Sequence, residues 1–135
     1  MVDRESTQAG LRAELFVCDV DRSRDFYVEV LGFQMLRAEH GYIALGRPGG
    51  AHLGLNAMAA LPDGHPLRAK DGERVGLGVE LVIMVEDVEA AYRLVDESGR
   101  VTPSALQRQP WGLVDFRLQD PDGYYVRVTG LSEAS

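Results

Sequence analysis

The sequence predicts an α+β protein built from two tandem βαβββ modules. Two observations predict it. First, Val17-Cys18-Asp19-Val20-Asp21-Arg22-Ser23-Arg24-Asp25-Phe26-Tyr27 is echoed about half the chain later by Val85-Glu86-Asp87-Val88-Glu89-Ala90-Ala91-Tyr92. Each copy takes an apolar strand into an acidic helix start. Second, three short apolar stretches separated by turn residues follow each helix. A duplicated unit in 135 residues points to one pseudo-symmetric domain with a cavity between its halves.

Residues 1 to 10 read as a disordered tail, and residues 11 to 130 as the domain. In module one (11–56), Leu11 to Cys18 alternates as a strand, with Leu11, Ala13, Leu15 and Val17 on one face and Arg12, Glu14, Phe16 and Cys18 on the other. Asp19 or Asp21 caps a helix, since a carboxylate accepts from the first free amides and suits the positive end of the helix. Phe26, Tyr27, Val30 and Leu31 recur at helical spacing, and Gly32 stops the helix. Strands are expected at Phe33 to Leu36, Tyr42 to Leu45 and Ala51 to Asn56. Residues 57–76, rich in turn formers and polar groups, read as a linker. Module two (77–130) repeats the order. It has a strand from Gly78 to Val85, then a helix capped by Asp87 and ended by Gly99. Strands follow at Ala105 to Gln109, Val114 to Gln119 and, after the Asp120-Pro121-Asp122-Gly123 turn, Tyr124 to Thr129. Residues 131–135 read as a second tail.

The net charge of −7 and pI near 4.9 argue against binding nucleic acid or an anionic membrane. No apolar run approaches transmembrane length, and the first residues lack the apolar segment of a secretory signal. The single cysteine, Cys18, excludes an internal disulfide, so a cytoplasmic location is the default. Cys18 is expected to be a small buried side chain. His40 and His65 fall in turn-like sequence and are expected to be solvated. Phe33 is expected in the core.

The duplicated βαβββ order, together with Phe26-Tyr27, Leu31-Gly32-Phe33 and Asp120-Pro121-Asp122-Gly123, resembles the vicinal oxygen chelate superfamily of glyoxalases, extradiol dioxygenases and bleomycin resistance proteins. The resemblance implies an open, curled mixed sheet with helices outside and a central cleft. It also implies four inward metal ligands in the metalloenzyme members, one on the first and one on the last strand of each module. The first-strand ligand lies seven residues before the helix-start aspartate and the last-strand ligand four after the turn glycine. Carried onto this chain, those positions are Arg12, Gly54, Glu80 and Arg127. Only Glu80 can ligate a metal, because glycine has no side chain and guanidinium offers donors and no lone pair.

Two readings of this quartet stay open at the level of sequence. Arg12, Glu80 and Arg127 form an ion-pair network joining the modules, or an arginine faces a carboxylate, carbonyl or phosphate on a ligand. Pro110-Trp111-Gly112, followed by Phe116, resembles the corresponding stretch of bleomycin-resistance-type members, where the cleft binds a bulky drug without a metal. The resemblance therefore implies a cytoplasmic, homodimeric binding protein for an aromatic natural product or antibiotic, with no cofactor and no catalytic residue. Its expected ligand-binding residues are Arg12, Glu14, Phe16, Tyr42, His52, Glu80, Trp111, Tyr125 and Arg127. The alternative is a divalent-metal lyase, isomerase or dioxygenase with a shifted ligand set of Glu14, His52 and Glu80.

Overall fold

Alternating apolar and polar residues put the first strand, β1 (Ala13–Val17), half into a core, with Leu15 and Val17 buried. At its end Asp19 leaves the extended strand and caps α1 (Val20–Glu29), its carboxylate accepting from the Arg22 amide at 3.0 Å. Beyond the last turn Gly32 takes a positive φ of 75° and the Phe33 amide donates to the Tyr27 carbonyl at 3.0 Å, which turns the chain back toward the sheet. Three strands follow, β2 (Gln34–Glu39), β3 (Tyr42–Arg47) and β4 (Ala51–Ala57). A 3₁₀ turn at Met58–Ala60, which sequence reasoning assigned to the linker, follows β4 directly. The structure is a computed structural model and describes residues 9–131. Most of both expected tails, residues 1–8 and 132–135, lies outside the described residues.

The second half repeats the plan with β5 (Glu80–Val85), α2 (Val88–Ser98), β6 (Gln107–Arg108), β7 (Val114–Gln119) and β8 (Tyr125–Gly130). The Asp87 carboxylate caps α2 through the Ala90 amide at 2.9 Å, and Gly99 closes the helix in the left-handed conformation. The turn into β8 is held by Asp120 Oδ1, which accepts from the amides of Asp122 and Tyr124, both at 2.9 Å.

The chain divides into two compact units, Met1–Glu73 and Arg74–Ser135. Each holds one four-stranded mixed sheet, ordered β1-β4-β3-β2 in the first and β5-β8-β7-β6 in the second. In both, the first and last strands pair in parallel and the remaining pairs are antiparallel. α1 lies against β3 and β4 and encloses Leu15, Val17, Phe26, Tyr27, Ile43, Leu45, Leu53 and Leu55. Tyr27 meets both Phe26 and Phe33 edge to face, at 5.5 and 5.6 Å between centroids, so Phe33 is a core residue as expected. α2 lies against β7 and β8 over Val95, Phe116, Leu118, Val126 and Val128, with Tyr92 edge to face on Phe116 at 5.3 Å. Each wholly buried side chain of this size contributes roughly 1.5–3 kcal/mol relative to exposure. In each unit the helix covers one sheet face. Because strand side chains alternate, the opposite face carries the polar residues.

Candidate functional site

In the first unit the polar face is organised around Glu14. Its register partner on β4 is Gly54, and the missing side chain is what the carboxylate needs. A Cβ at Gly54 would stand 2.3 Å from Glu14 Oε2. Three donors converge on the carboxylate lying over this gap. Arg12 Nε donates to Oε2 at 2.6 Å, the Tyr42 hydroxyl to Oε2 at 3.1 Å, and Asn56 Nδ2 to Oε1 at 3.0 Å. The Arg37 guanidinium lies 5.3 Å from the Tyr42 ring centroid, within cation–π range, and pairs with Glu39. Phe16 and His52 share this face and are half-buried; their register partners are Asn56 and Gly46.

In the second unit the face carries a four-residue charge cluster. Glu80 Oε1 accepts from Arg127 Nε at 3.2 Å, and Glu80 Oε2 lies 3.7 Å from Arg117 Nε. Below them Asp115 is 0% exposed, yet its Oδ1 accepts from Arg117 Nη1 at 3.2 Å and from Gln109 Nε2 at 2.8 Å. Its Oδ2 has no hydrogen bond and lies 3.9 Å from Arg127 Nη1. Arg117 and Arg127 are direct cross-strand partners, as are Asp115 and Thr129, whose buried Oγ1 is also without a hydrogen-bond partner. Two like charges placed opposite each other repel, and the two carboxylates are what hold the arginine pair together. Trp111 lies at the tip of the β6–β7 hairpin and is 58% exposed. The hairpin is closed by Gln109 N–H to Leu113 O at 2.8 Å and by Arg108 Nη1 to Gly112 O at 2.7 Å. Gln109 thus joins the tryptophan loop to the charge cluster. Tyr125, the register partner of Glu80, is half-buried.

The structure therefore brings Glu80 and Arg127 together in one unit, while Arg12 pairs with Glu14 in the other. Arg12 precedes the first strand instead of lying within it. Asn56, Gln109, Asp115 and Arg117 were missed by sequence reasoning. The signal was present in the alternation. Asn56 follows Gly54 by two positions, and Asp115 and Arg117 alternate with the buried Phe116 and Leu118, so these three share the polar faces, whereas Gln109 lies beyond the end of β6. Cys18 is exposed, contrary to expectation, because it occupies the exit of β1 just before the Asp19 cap.

A family model described as the Glyoxalase/Bleomycin resistance protein/Dioxygenase superfamily matches residues 11–128. The chain belongs to that superfamily. A comparison with curated proteins found no match. Among solved structures, this superfamily member is similar to TioX from Micromonospora sp. ML1, at 22% identity and TM-score 0.73, over 91% of this chain and 98% of that one. It is similar to TnmS3, an antibiotic binding protein from Streptomyces sp. CB03234, at 23% identity and TM-score 0.69, over 94% and 99% of the two chains. It is also similar to a lactoylglutathione lyase from Agrobacterium tumefaciens, at 21% identity and TM-score 0.67, over 93% and 95%. At these identities the likeness is one of fold.

The metal of the superfamily's enzymes can be tested against the donor set. Glu14 is held by Arg12, Tyr42 and Asn56, and Glu80 lies between Arg127 and Arg117. Among the described residues no group of three or more His, Cys, Asp or Glu side chains is placed to hold a metal ion. A dication beside these guanidiniums would meet like charge, so the residues present do not fit the group. Among the described residues no helix is long and apolar enough to cross a membrane.

Proposed function

We propose that this protein is a cytoplasmic, homodimeric binding protein that sequesters a bulky aromatic natural product or antibiotic without a metal, giving self-resistance or drug carriage. The observation that carries the reading is the exposed Trp111, presented on a braced hairpin tied through Gln109 to an arginine-bearing sheet face. A large flat side chain with its surface in solvent suits stacking on a heteroaromatic ligand, where it supplies apolar area at little entropic cost. Arg127, Glu80 and Tyr125 orient the ligand's polar groups beside it. Arg12, Glu14, Phe16, Tyr42 and His52 offer a second polar and aromatic face in the first unit. The fold likeness to an antibiotic binding protein supports the same reading.

The test is titration of bleomycin-type glycopeptides and intercalating peptide antibiotics against Trp111 fluorescence. Quenching that saturates is the expected result, and Trp111→Ala, which removes the only tryptophan of the chain, is expected to weaken drug binding read by titration calorimetry. A panel of such drugs that leaves the fluorescence unchanged overturns the proposal. The dimer is supported by β5, a sheet-edge strand whose Val82 and Met84 are exposed on the polar face beside Glu80.

A further inference from the structure

We infer that Glu80, Asp115, Arg117 and Arg127 form a recognition site for a neutral amide edge, such as a carboxamide, lactam or peptide bond, and that the charge balance of the four excludes acids and amines. The inference rests on the sequestration reading above and names the chemistry its ligand must carry.

Two features of the cluster lead there. The first is what remains unsatisfied at its surface. Glu80 Oε1 accepts from Arg127, but among the described residues Oε2 accepts no hydrogen bond, Arg117 Nε lying 3.7 Å away. Arg127 donates through Nε and Arg117 through Nη1, while Arg127 Nη1 and Arg117 Nε lie 3.9 and 3.7 Å from Asp115 and Glu80, within ion-pair range only. Among the described residues neither Nη2 has a hydrogen bond. The side chains of Glu80, Arg117 and Arg127 are 34%, 28% and 21% exposed, so these atoms are partly open to a ligand while Asp115 is closed beneath them. An acceptor lies beside two donor groups, the pattern that an amide N–H and its carbonyl complement together.

The second feature is the charge. Two carboxylates and two guanidiniums make the cluster formally neutral. A carboxylate ligand would leave the site with a net negative charge, and an ammonium would leave it with a net positive one. In a half-buried site either is costly, and polar groups that match without charge are favoured. Asp115 is what sets this balance. Without a buried anion under them, the opposed Arg117 and Arg127 would form an anion site. With it, their donors remain and their charge is cancelled.

Three naphthalenes of matched shape test the inference: naphthamide, naphthoate and naphthylmethylamine, which is an ammonium at neutral pH. The indole N–H resonance of Trp111 reads binding of the aromatic ring, and the Nε–H resonances of Arg117 and Arg127 report whether the polar group reaches the cluster. The expected result is that naphthamide binds about tenfold tighter than the other two, the size of one hydrogen bond to a charged group, and shifts both arginine resonances. Glu80→Gln leaves the cluster net positive, and its preference is expected to pass to naphthoate. Arg117→Gln leaves it net negative, and its preference is expected to pass to the amine. Circular dichroism confirms that each variant is folded, and Glu80, being partly exposed, is the safer of the two. A wild-type preference for the acid or the amine overturns the inference, as does an order unchanged in folded Glu80→Gln. Equal binding of all three overturns it while leaving the sequestration reading intact. Binding of none of them overturns the inference, and the drug titration alone decides the sequestration reading.

Discussion

Gly54 and Asp115 show how single residues determine the two polar faces. Gly54 leaves room for the Glu14 carboxylate, and alanine there would place a carbon 2.3 Å from Oε2. Because the obstructed atoms are the end of a flexible side chain, the strain is relieved by moving Glu14. Gly54→Ala is expected to cost only about 1 kcal/mol, chiefly the hydrogen bonds from Tyr42 and Asn56. Urea unfolding reads the cost, and a crystal structure of the variant should find Glu14 displaced. Asp115 behaves oppositely. It is wholly buried and neutralises two arginines, so Asp115→Ala leaves their charges facing each other. A loss of about 2–3 kcal/mol is expected, short of the largest values for buried ion pairs because both guanidiniums reach solvent. Asp115→Asn keeps an acceptor for Gln109 and should lose less. Equal losses in the two variants would mean that charge is irrelevant at this position.

At the level of elements, each helix begins at an aspartate and lies on one sheet. Asp19→Ala and Asp87→Ala are each expected to cost about 1 kcal/mol by removing the cap. The caps share no partner, so the double variant should lose the sum of the single losses, measured by chemical denaturation. These helices were legible in the sequence because caps and stop signals are local. Asp87 and Gly99 act where the sequence placed them, and of the two aspartates offered for the first cap it is Asp19 that acts. β7 was legible to the residue, while β6 shrinks from an expected five residues to Gln107–Arg108, since a hairpin arm persists only where its partner strand offers register. The site was legible less completely. Counting from the repeat located Glu80 and Arg127, and alternation implied their face. Neither reveals that Asp115 would be buried, because burial beneath two arginines depends on a strand pairing that no short stretch encodes. Arg12 was assigned to a strand that starts one residue later. Cys18 was misplaced for a related reason, because the alternation fades where a strand ends.

For the whole molecule, duplication gives two sheets of the same topology whose polar faces have diverged. The first gathers donors around one carboxylate. The second balances two carboxylates against two arginines. The proposed dimer belongs to this scale. Met84 is 61% exposed on the sheet-edge strand β5, and Met84→Asp would place a charge in any apolar contact made there. Light scattering coupled to gel filtration should find the wild type at twice the chain mass and Met84→Asp at the chain mass. A wild-type monomer would end the proposal of a homodimer.

The register of the first strand against the last also bears on how such a chain diversifies. Glu14 faces Gly54 in one unit, and Val82 faces Arg127 at the matching crossing of the other. Each crossing pairs one long polar side chain with a partner that is absent or apolar, and the strand supplying the polar member is reversed between the halves. Neither position is then free to drift alone. An arginine arriving at position 54 would displace the Glu14 carboxylate from its three donors, and a glutamate arriving at position 82 would add a third carboxylate to a balanced cluster. Substitutions at these crossings should therefore be inherited in pairs, and an alignment of relatives would show positions 14 and 54, and 82 and 127, covarying as two separate couples.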